Sequence, residues 1–292
     1  MDNDVRRTKQ VLSIQSAVAF GHVGNNAAVF PLQRLGVDVW PVNTVEFSNH
    51  TGYGEWRGPV LPADGVAEVL AGVADRGVYS RLDAVLSGYL GAADIGRVVV
   101  DAVAEVRAAN PKVLYCADPV MGDRWCGFFV ASGIPELIRD TVVAAADITT
   151  PNHFELEFLA GRHAATTDEL LEAVETVRSL GPRVVLVTSV ELADLPPAQV
   201  SMVAVDADGA WLVSTPKLAL SSVSGSGDAT AALFLGHLLL SGSVPTALRK
   251  VASTIFAILD LTATSGATEM ELVAAQQHIA EPLEEFDVLR LR

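Results

Sequence analysis

The sequence predicts an α/β fold with a mostly parallel central sheet and helices on both faces. Two observations carry that expectation. As far as Thr188, short β-rich runs alternate with longer stretches whose apolar residues recur at three- and four-residue spacing. Half of the residues are hydrophobic and 19% are charged, a balance that supplies a substantial buried core.

Taken in order, the predicted strands are Val11–Ser16, Val37–Val42, Ala84–Ser87, Lys112–Ala117, Asp147–Thr149 and Val184–Thr188. Between them lie amphipathic helical patterns at Val66–Arg76, Ile95–Ala109, Pro135–Ala145 and Thr167–Leu180. After Thr188 the rhythm changes. Val200–Val205 and Ala210–Ser214 flank Asp208-Gly209 and read as a β-hairpin. A glycine-rich turn at Ser224–Gly227 then leads into helical patterns at Asp228–Leu240, Pro245–Thr264 and Met270–Ile279. Residues 1–10 are polar and charged and are expected to form a flexible tail. With no repeat or low-complexity linker, residues 11–292 are expected to form a single domain.

The net charge of -15 argues against a nucleic-acid surface, which needs a basic face. An anionic ligand would require a local site built from backbone N–H groups, a helix N-terminus and metal ions. The two cysteines, Cys116 and Cys126, fit neither a disulfide framework nor a zinc site. No stretch approaches the roughly 20 apolar residues that span a bilayer. No signal-peptide pattern is present either, so the expected location is the cytoplasm.

In open parallel sheets, ligands bind beyond the carboxyl ends of the strands. Ser16, Ser87–Tyr89, Asp118–Asp123, Thr150–Glu155 and Thr188–Ser189 all fall there. The strongest signal, however, is Gly225-Ser226-Gly227-Asp228 opening an apolar helix. Two glycines let successive N–H groups turn toward one point, and the helix dipole adds partial positive charge. Such a nest suits a phosphoryl group in transit, and Asp228 beside it could accept a proton from an attacking hydroxyl. Alternatively, Asp228 is a helix cap. There is no Gly-x4-Gly-Lys-Ser/Thr loop and no Gly-x-Gly-x-x-Gly after the first strand, which excludes a P-loop enzyme and weakens a dinucleotide reading.

Two further clusters admit two readings each. Asp118-Pro119-Val120-Met121-Gly122-Asp123 places two carboxylates near a strand end, either as Mg²⁺ ligands or as solvated acids of a turn. In Thr150-Pro151-Asn152-His153-Phe154-Glu155, Asn152 and Glu155 share a helix face. There Glu155 either orders metal-bound water, or Thr150 and Asn152 cap the helix and Glu155 is only a favourable first-turn charge.

The order Asp-Pro-Val-Met-Gly-Asp, Thr-Pro-Asn-x-x-Glu, Gly-x-Gly-Asp resembles the ribokinase superfamily and, within it, the pyridoxal kinases. Matching segments are Ser13–Ser16 with Gly21–Asn25, Val45–Tyr53, Leu86-Ser87-Gly88-Tyr89-Leu90 and Val187-Thr188-Ser189. The resemblance implies a ribokinase-like three-layer sandwich and ATP-dependent phosphorylation of the 5′-hydroxymethyl group of pyridoxal, with pyridoxine and pyridoxamine as further candidates. It implies that Asp228 is the general base and that the Gly225, Ser226 and Gly227 amides hold the transferring phosphate. Asp118, Asp123, Thr150 and Glu155 would organise Mg²⁺ and a monovalent cation around ATP. Asn152, Thr188 and Ser189 would contact the nucleotide, and Ser16, Thr51 and Tyr89 would bind the pyridine ring. A homodimer is also implied. Thr188 stands where some members carry Lys, and Glu191–Gln199 is short, leaving little chain there to cover ATP. The alternatives are a hydroxymethyl-pyrimidine kinase of the same superfamily and a non-catalytic vitamin B6-binding relative.

Overall fold

The computed structural model describes residues 7–220, 223–282 and 285–292. In chain order the elements begin with β1 (Gln10–Phe20), α1 (Asn25–Arg34), β2 (Asp38–Asn49), α2 (Ala63–Ala74), β3 (Ala84–Ser87), α3 (Ala93–Ala109) and β4 (Leu114–Ala117). A small hairpin, β5 (Gly122–Asp123) and β6 (Gly127–Phe128), precedes α4 (Ile134–Leu137), β7 (Ile148–Thr149), α5 (His153–Ala160) and α6 (Thr167–Arg178). The chain continues through β8 (Val184–Val190), β9 (Gln199–Val205), β10 (Ala210–Pro216), α7 (Ser226–Ser241), α8 (Val244–Ser265), α9 (Gln276–Ala280) and β11 (Val288–Arg290).

One nine-stranded sheet runs in the order β11-β10-β9-β8-β7-β4-β3-β1-β2. It is parallel from β2 to β8 and antiparallel from β8 to β11. Neighbouring strand residues feed opposite cores: Leu12, Val85 and Val187 pack under α2, α3, α5 and α6, whereas Val11, Leu86 and Leu186 pack under α1, α7, α8 and α9. Burial on both faces is why β3 and β8 read as near-continuous apolar runs, whereas β1 interleaves buried Ser13 and Gln15 among its apolar residues. From β1 the chain steps outward to β2 and returns to β3 on the other side, which makes a switch point where the strand ends leave a crevice.

Several expectations change. β1 extends to Phe20 and β2 to Asn49, past the predicted ends at Ser16 and Val42. The extra length of β2 is paired by the returning chain, with Glu46 N–H donating to Pro59 O at 3.0 Å and Ser48 N–H to Arg57 O at 2.7 Å. Helix α1 was not predicted, and it carries Pro31 inside. The segment Pro135–Ala145 divides into α4 and a π-helical turn at Ile138–Val143. Of the predicted helix Met270–Ile279 only the part within α9, from Gln276 on, is helical, although Met270, Leu272, Ala275 and Ile279 are all buried. There the apolar spacing reflects an irregular segment pressed on the core. Of the expected tail, Met1–Arg6 lie outside the described residues. Arg7 and Lys9 pair with Asp83, and Gln10 opens β1.

Candidate active site

At the carboxyl ends of the parallel strands lies a cavity of about 470 Å³. Its wall includes Ser16, Thr51, Tyr89, Asp118, Asp123, Thr150, Asn152, Glu155, Thr188, Gly225, Ser226, Gly227 and Asp228. These are the site residues read from the sequence, with one exception. Ser189 is absent from this wall and stands exposed near an irregularity in β8, with φ at 53°. A left-handed conformation at a non-glycine residue costs of the order of 1 kcal/mol or more.

Gly225 precedes the first turn of α7 with φ at 85°, and a Cβ there would overlap the carbonyl oxygen of His22. Glycine is therefore required on both grounds. The first amides of α7 have no intrahelical acceptor, and the residues that carry them line the cavity. Asp228 does not cap the helix: the N-cap is Gly225, and among the described residues no side chain caps this terminus. The half-buried Asp228 carboxyl lines the cavity instead. Burial pushes it up to about 6, opposed by a hydrogen bond from the Gly24 backbone N–H.

The two acidic motifs form one hydrogen-bonded unit. Asn152 and Glu155 make a reciprocal capping box at the start of α5. The remaining Glu155 oxygen accepts from Met121 N–H at 3.0 Å and Gly122 N–H at 3.4 Å. Asn152 Nδ2 donates to Gly122 O at 2.8 Å. The capping explanation thus holds for Asn152 but not for Thr150, whose hydroxyl donates to Asp118, and the Glu155 carboxylate of the box also lines the cavity. Burial raises Glu155 to about 8 against the pull of its amide donors. Asp118, only 6% exposed, accepts from Thr150 Oγ1 at 2.9 Å. Its carboxyl is held well above the usual range, first by burial and then by Glu155 and Asp228.

The opposite side of the cavity is apolar. Val18, Val45 and Phe47 form a small cluster against which Val23 and Tyr89 pack. Thr44 Oγ1 donates to Tyr89 O at 2.8 Å and fixes that turn. Burial pushes the Tyr89 phenol up. Of this wall the sequence points to Tyr89 as a site residue but not to Val18, Val23, Val45 or Phe47, nor to the neighbouring His50. The alternation Val45-x-Phe47 was the available signal for β2 running on into the site. Trp125, Cys126 and Phe129, around the β5–β6 hairpin, also line the cavity. Trp125 itself is 68% exposed.

A carboxylate beside a helix-start anion nest, at the carboxyl edge of a largely parallel sheet, is the architecture of the ribokinase superfamily. The family profile described as phosphomethylpyrimidine kinase matches residues 57–270. Pyridoxal kinase PdxY of Rubrobacter xylanophilus is 56% identical over 282 residues, 96% of this chain and 97% of that one. The Leifsonia xyli pyridoxal kinase PdxY is 54% identical over 282 residues, 97% of this chain and 99% of that one. The structure of pyridoxal kinase from Leishmania donovani in complex with ADP and ginkgotoxin superposes with a TM-score of 0.91 at 29% identity, covering 97% of this chain and 100% of that one. The chain belongs to the phosphomethylpyrimidine kinase family and, within it, to the pyridoxal kinases.

Proposed function

We propose that the protein transfers the γ-phosphoryl group of ATP to the 5′-hydroxymethyl of pyridoxal, and of pyridoxine and pyridoxamine, giving the 5′-phosphate and ADP. One observation carries the reading: the uncapping, cavity-facing Asp228 carboxyl stands at the same helix start as the Gly225–Gly227 amides. The carboxylate takes the proton of the attacking hydroxyl, and the amides receive the charge that develops on the transferring group. Ser16 and Thr51 offer hydrogen-bonding hydroxyls to the ring's polar edge, and Tyr89 with Val45 and Phe47 supplies an apolar face. Asn152 and Thr188, both in the cavity wall, would contact the nucleotide. Ser189, being exposed, would reach the nucleotide only beyond the cavity wall.

Mg²⁺ fits this site. Asp118, Asp123, Glu155 and Asp228 line the cavity, and among the described residues no Lys or Arg does. ATP in so acidic a place needs cations. No three such groups among the described residues converge closely enough to chelate a bare ion, so the ion would be held jointly by Asp118, water and the phosphates, with Asp123, Thr150 and Glu155 around it. When bound, Mg²⁺ screens the phosphate charge, and a monovalent cation alongside would do so further.

A single sheet that takes β1 from one end and β11 from the other supports one kinase domain over residues 11–292. We place the protein in the cytoplasm as a homodimer. Among the described residues no helix is long and apolar enough to cross a membrane.

The family profile's description favours a second reading, phosphorylation of a hydroxymethyl-pyrimidine. A panel of pyridoxal, pyridoxine, pyridoxamine and hydroxymethyl-pyrimidine with Mg-ATP, followed by detection of each phosphorylated product, decides. Pyridoxal phosphate formed at the highest kcat/KM supports the proposal. Turnover of the pyrimidine alone supports the second reading, and pyridoxal binding without product supports a non-catalytic relative.

A further inference from the structure

Glu269 lies in the irregular segment before α9, far in sequence from every motif described above, yet its carboxylate joins two walls of the site. One oxygen, Oε1, accepts from the Tyr53 hydroxyl at 2.6 Å and lies 3.0 Å from His50 Nε2. The other, Oε2, accepts from the backbone N–H of His22 at 3.1 Å. A carboxylate only accepts, so His50 must donate from Nε2. The imidazole packs on the Tyr53 ring with centroids 4.5 Å apart. On its other side, a Cβ on Gly52 would stand 2.9 Å from Nδ1. Glu269 therefore fixes the ring that brackets the one-turn helix Thr51–Tyr53, and both Thr51 and His50 line the cavity.

The second contact reaches the anion nest. His22 carries the carbonyl against which Gly225 is packed, and Met270, next to Glu269, is buried beside the same glycine. Gly21 has φ at 100°, which disfavours any side chain, and a Cβ there would push on Oε2 of Glu269.

We infer that Glu269 is a positioning residue that locks the acceptor-binding loop His50–Tyr53 to the His22 buttress of the phosphate nest, and so sets the fit of the acceptor alcohol. The inference rests on the kinase reading only for its readout, which is the KM of whichever acceptor the wild-type protein phosphorylates in the panel above. An inactive wild type would sink that reading. The loop lock would then be read from pyridoxal affinity by fluorescence titration on the same variants.

The test is a double-mutant cycle of Glu269→Ala and Tyr53→Phe, with Glu269→Gln as the conservative variant. Glu269→Ala is expected to raise acceptor KM or Kd roughly 5- to 30-fold, the loss of hydrogen bonds to a charged group, with the KM for ATP within about twofold of wild type. Glu269→Gln, which keeps one acceptor oxygen, should fall between. Tyr53→Phe should add much less in the Ala background than in the wild type, because both act through one contact. Unchanged acceptor binding in Glu269→Ala overturns the inference, as does an equal change in both substrates' KM, or full multiplicativity in the cycle. If Glu269→Ala fails to fold, Glu269→Gln and Tyr53→Phe decide: wild-type acceptor binding in both overturns it.

Discussion

Glu155 accepts a hydrogen bond from the backbone N–H of Met121 at 3.0 Å, joining the turn after β4 to the first turn of α5. With the amides of Gly122 and Asn152 on the same carboxylate, Glu155 serves backbone donors as well as the cavity. Asp118 accepts from the Thr150 hydroxyl. Glu155→Ala should therefore lower Tm by several degrees, about 2–4 kcal/mol for stranded amides less the relief of an ill-solvated carboxyl. Asp118→Ala should cost less stability. Both should raise the Mg²⁺ concentration needed for half-maximal activity. Calorimetry and metal titrations on the two variants check this, and unchanged titrations in both would remove the carboxylates from the cation site.

Asp228→Asn should lower turnover roughly 10²–10⁴-fold while leaving acceptor and nucleotide binding in place. It should also stabilise the protein. A carboxyl raised from 3.8 to about 6 by burial is charged at pH 7 at a cost to the folded state, about 1–3 kcal/mol. Removing that charge should raise Tm by roughly 2–8 °C. Single-turnover rates and melting curves measured together test both halves. A variant with full turnover would exclude Asp228 as the base.

The pH dependence has a defined sign. Asp228 works deprotonated, so kcat/KM for the acceptor at saturating Mg-ATP should be level above about pH 7. It should fall about tenfold per pH unit below about pH 6, where the raised carboxyl takes up its proton. The stability contribution runs the other way. Between 3.8 and about 6 the folded state binds more protons than the unfolded one, so this group's contribution to stability declines as pH rises through that window. A rate profile flat down to pH 4.5 would contradict the assignment.

Gly225→Ala should abolish most activity. The added methyl overlaps the His22 carbonyl, and φ at 85° disfavours any side chain. Displacing the nest by even about 1 Å costs roughly 10²-fold in rate. A crystal structure of the variant together with its kcat checks this. Near-wild-type turnover would mean that the nest tolerates movement and does not position the phosphoryl group.

The site was legible where chemistry is local in sequence. Gly225–Asp228, Asp118–Asp123 and Thr150–Glu155 each announce a turn with oxygen ligands or bare amides, and each lines the cavity. Cases with two local explanations were not legible. Asp228 reads as a cap or a base, and Glu155 as a metal-site acid or a first-turn charge behind an Asn152 cap; only the second segment is capped by side chains, because Asn152 takes the N-cap position of α5 with Glu155 closing the box, whereas Gly225 takes that of α7. The helix predicted over Met270–Ile279 failed because burial of Met270, Leu272 and Ile279 imposes apolar spacing without regular hydrogen bonds.

By itself, the sequence determined the α/β class, the parallel portion of the sheet and the acidic and glycine motifs, since periodicity and turn chemistry are properties of neighbouring residues. Tertiary structure decided that β2 runs on to wall the cavity, that burial lifts Asp228 to about 6, and that Glu269 reaches His22, His50 and Tyr53. Those are facts of desolvation and of contacts between distant segments, which only the folded chain brings within bonding distance.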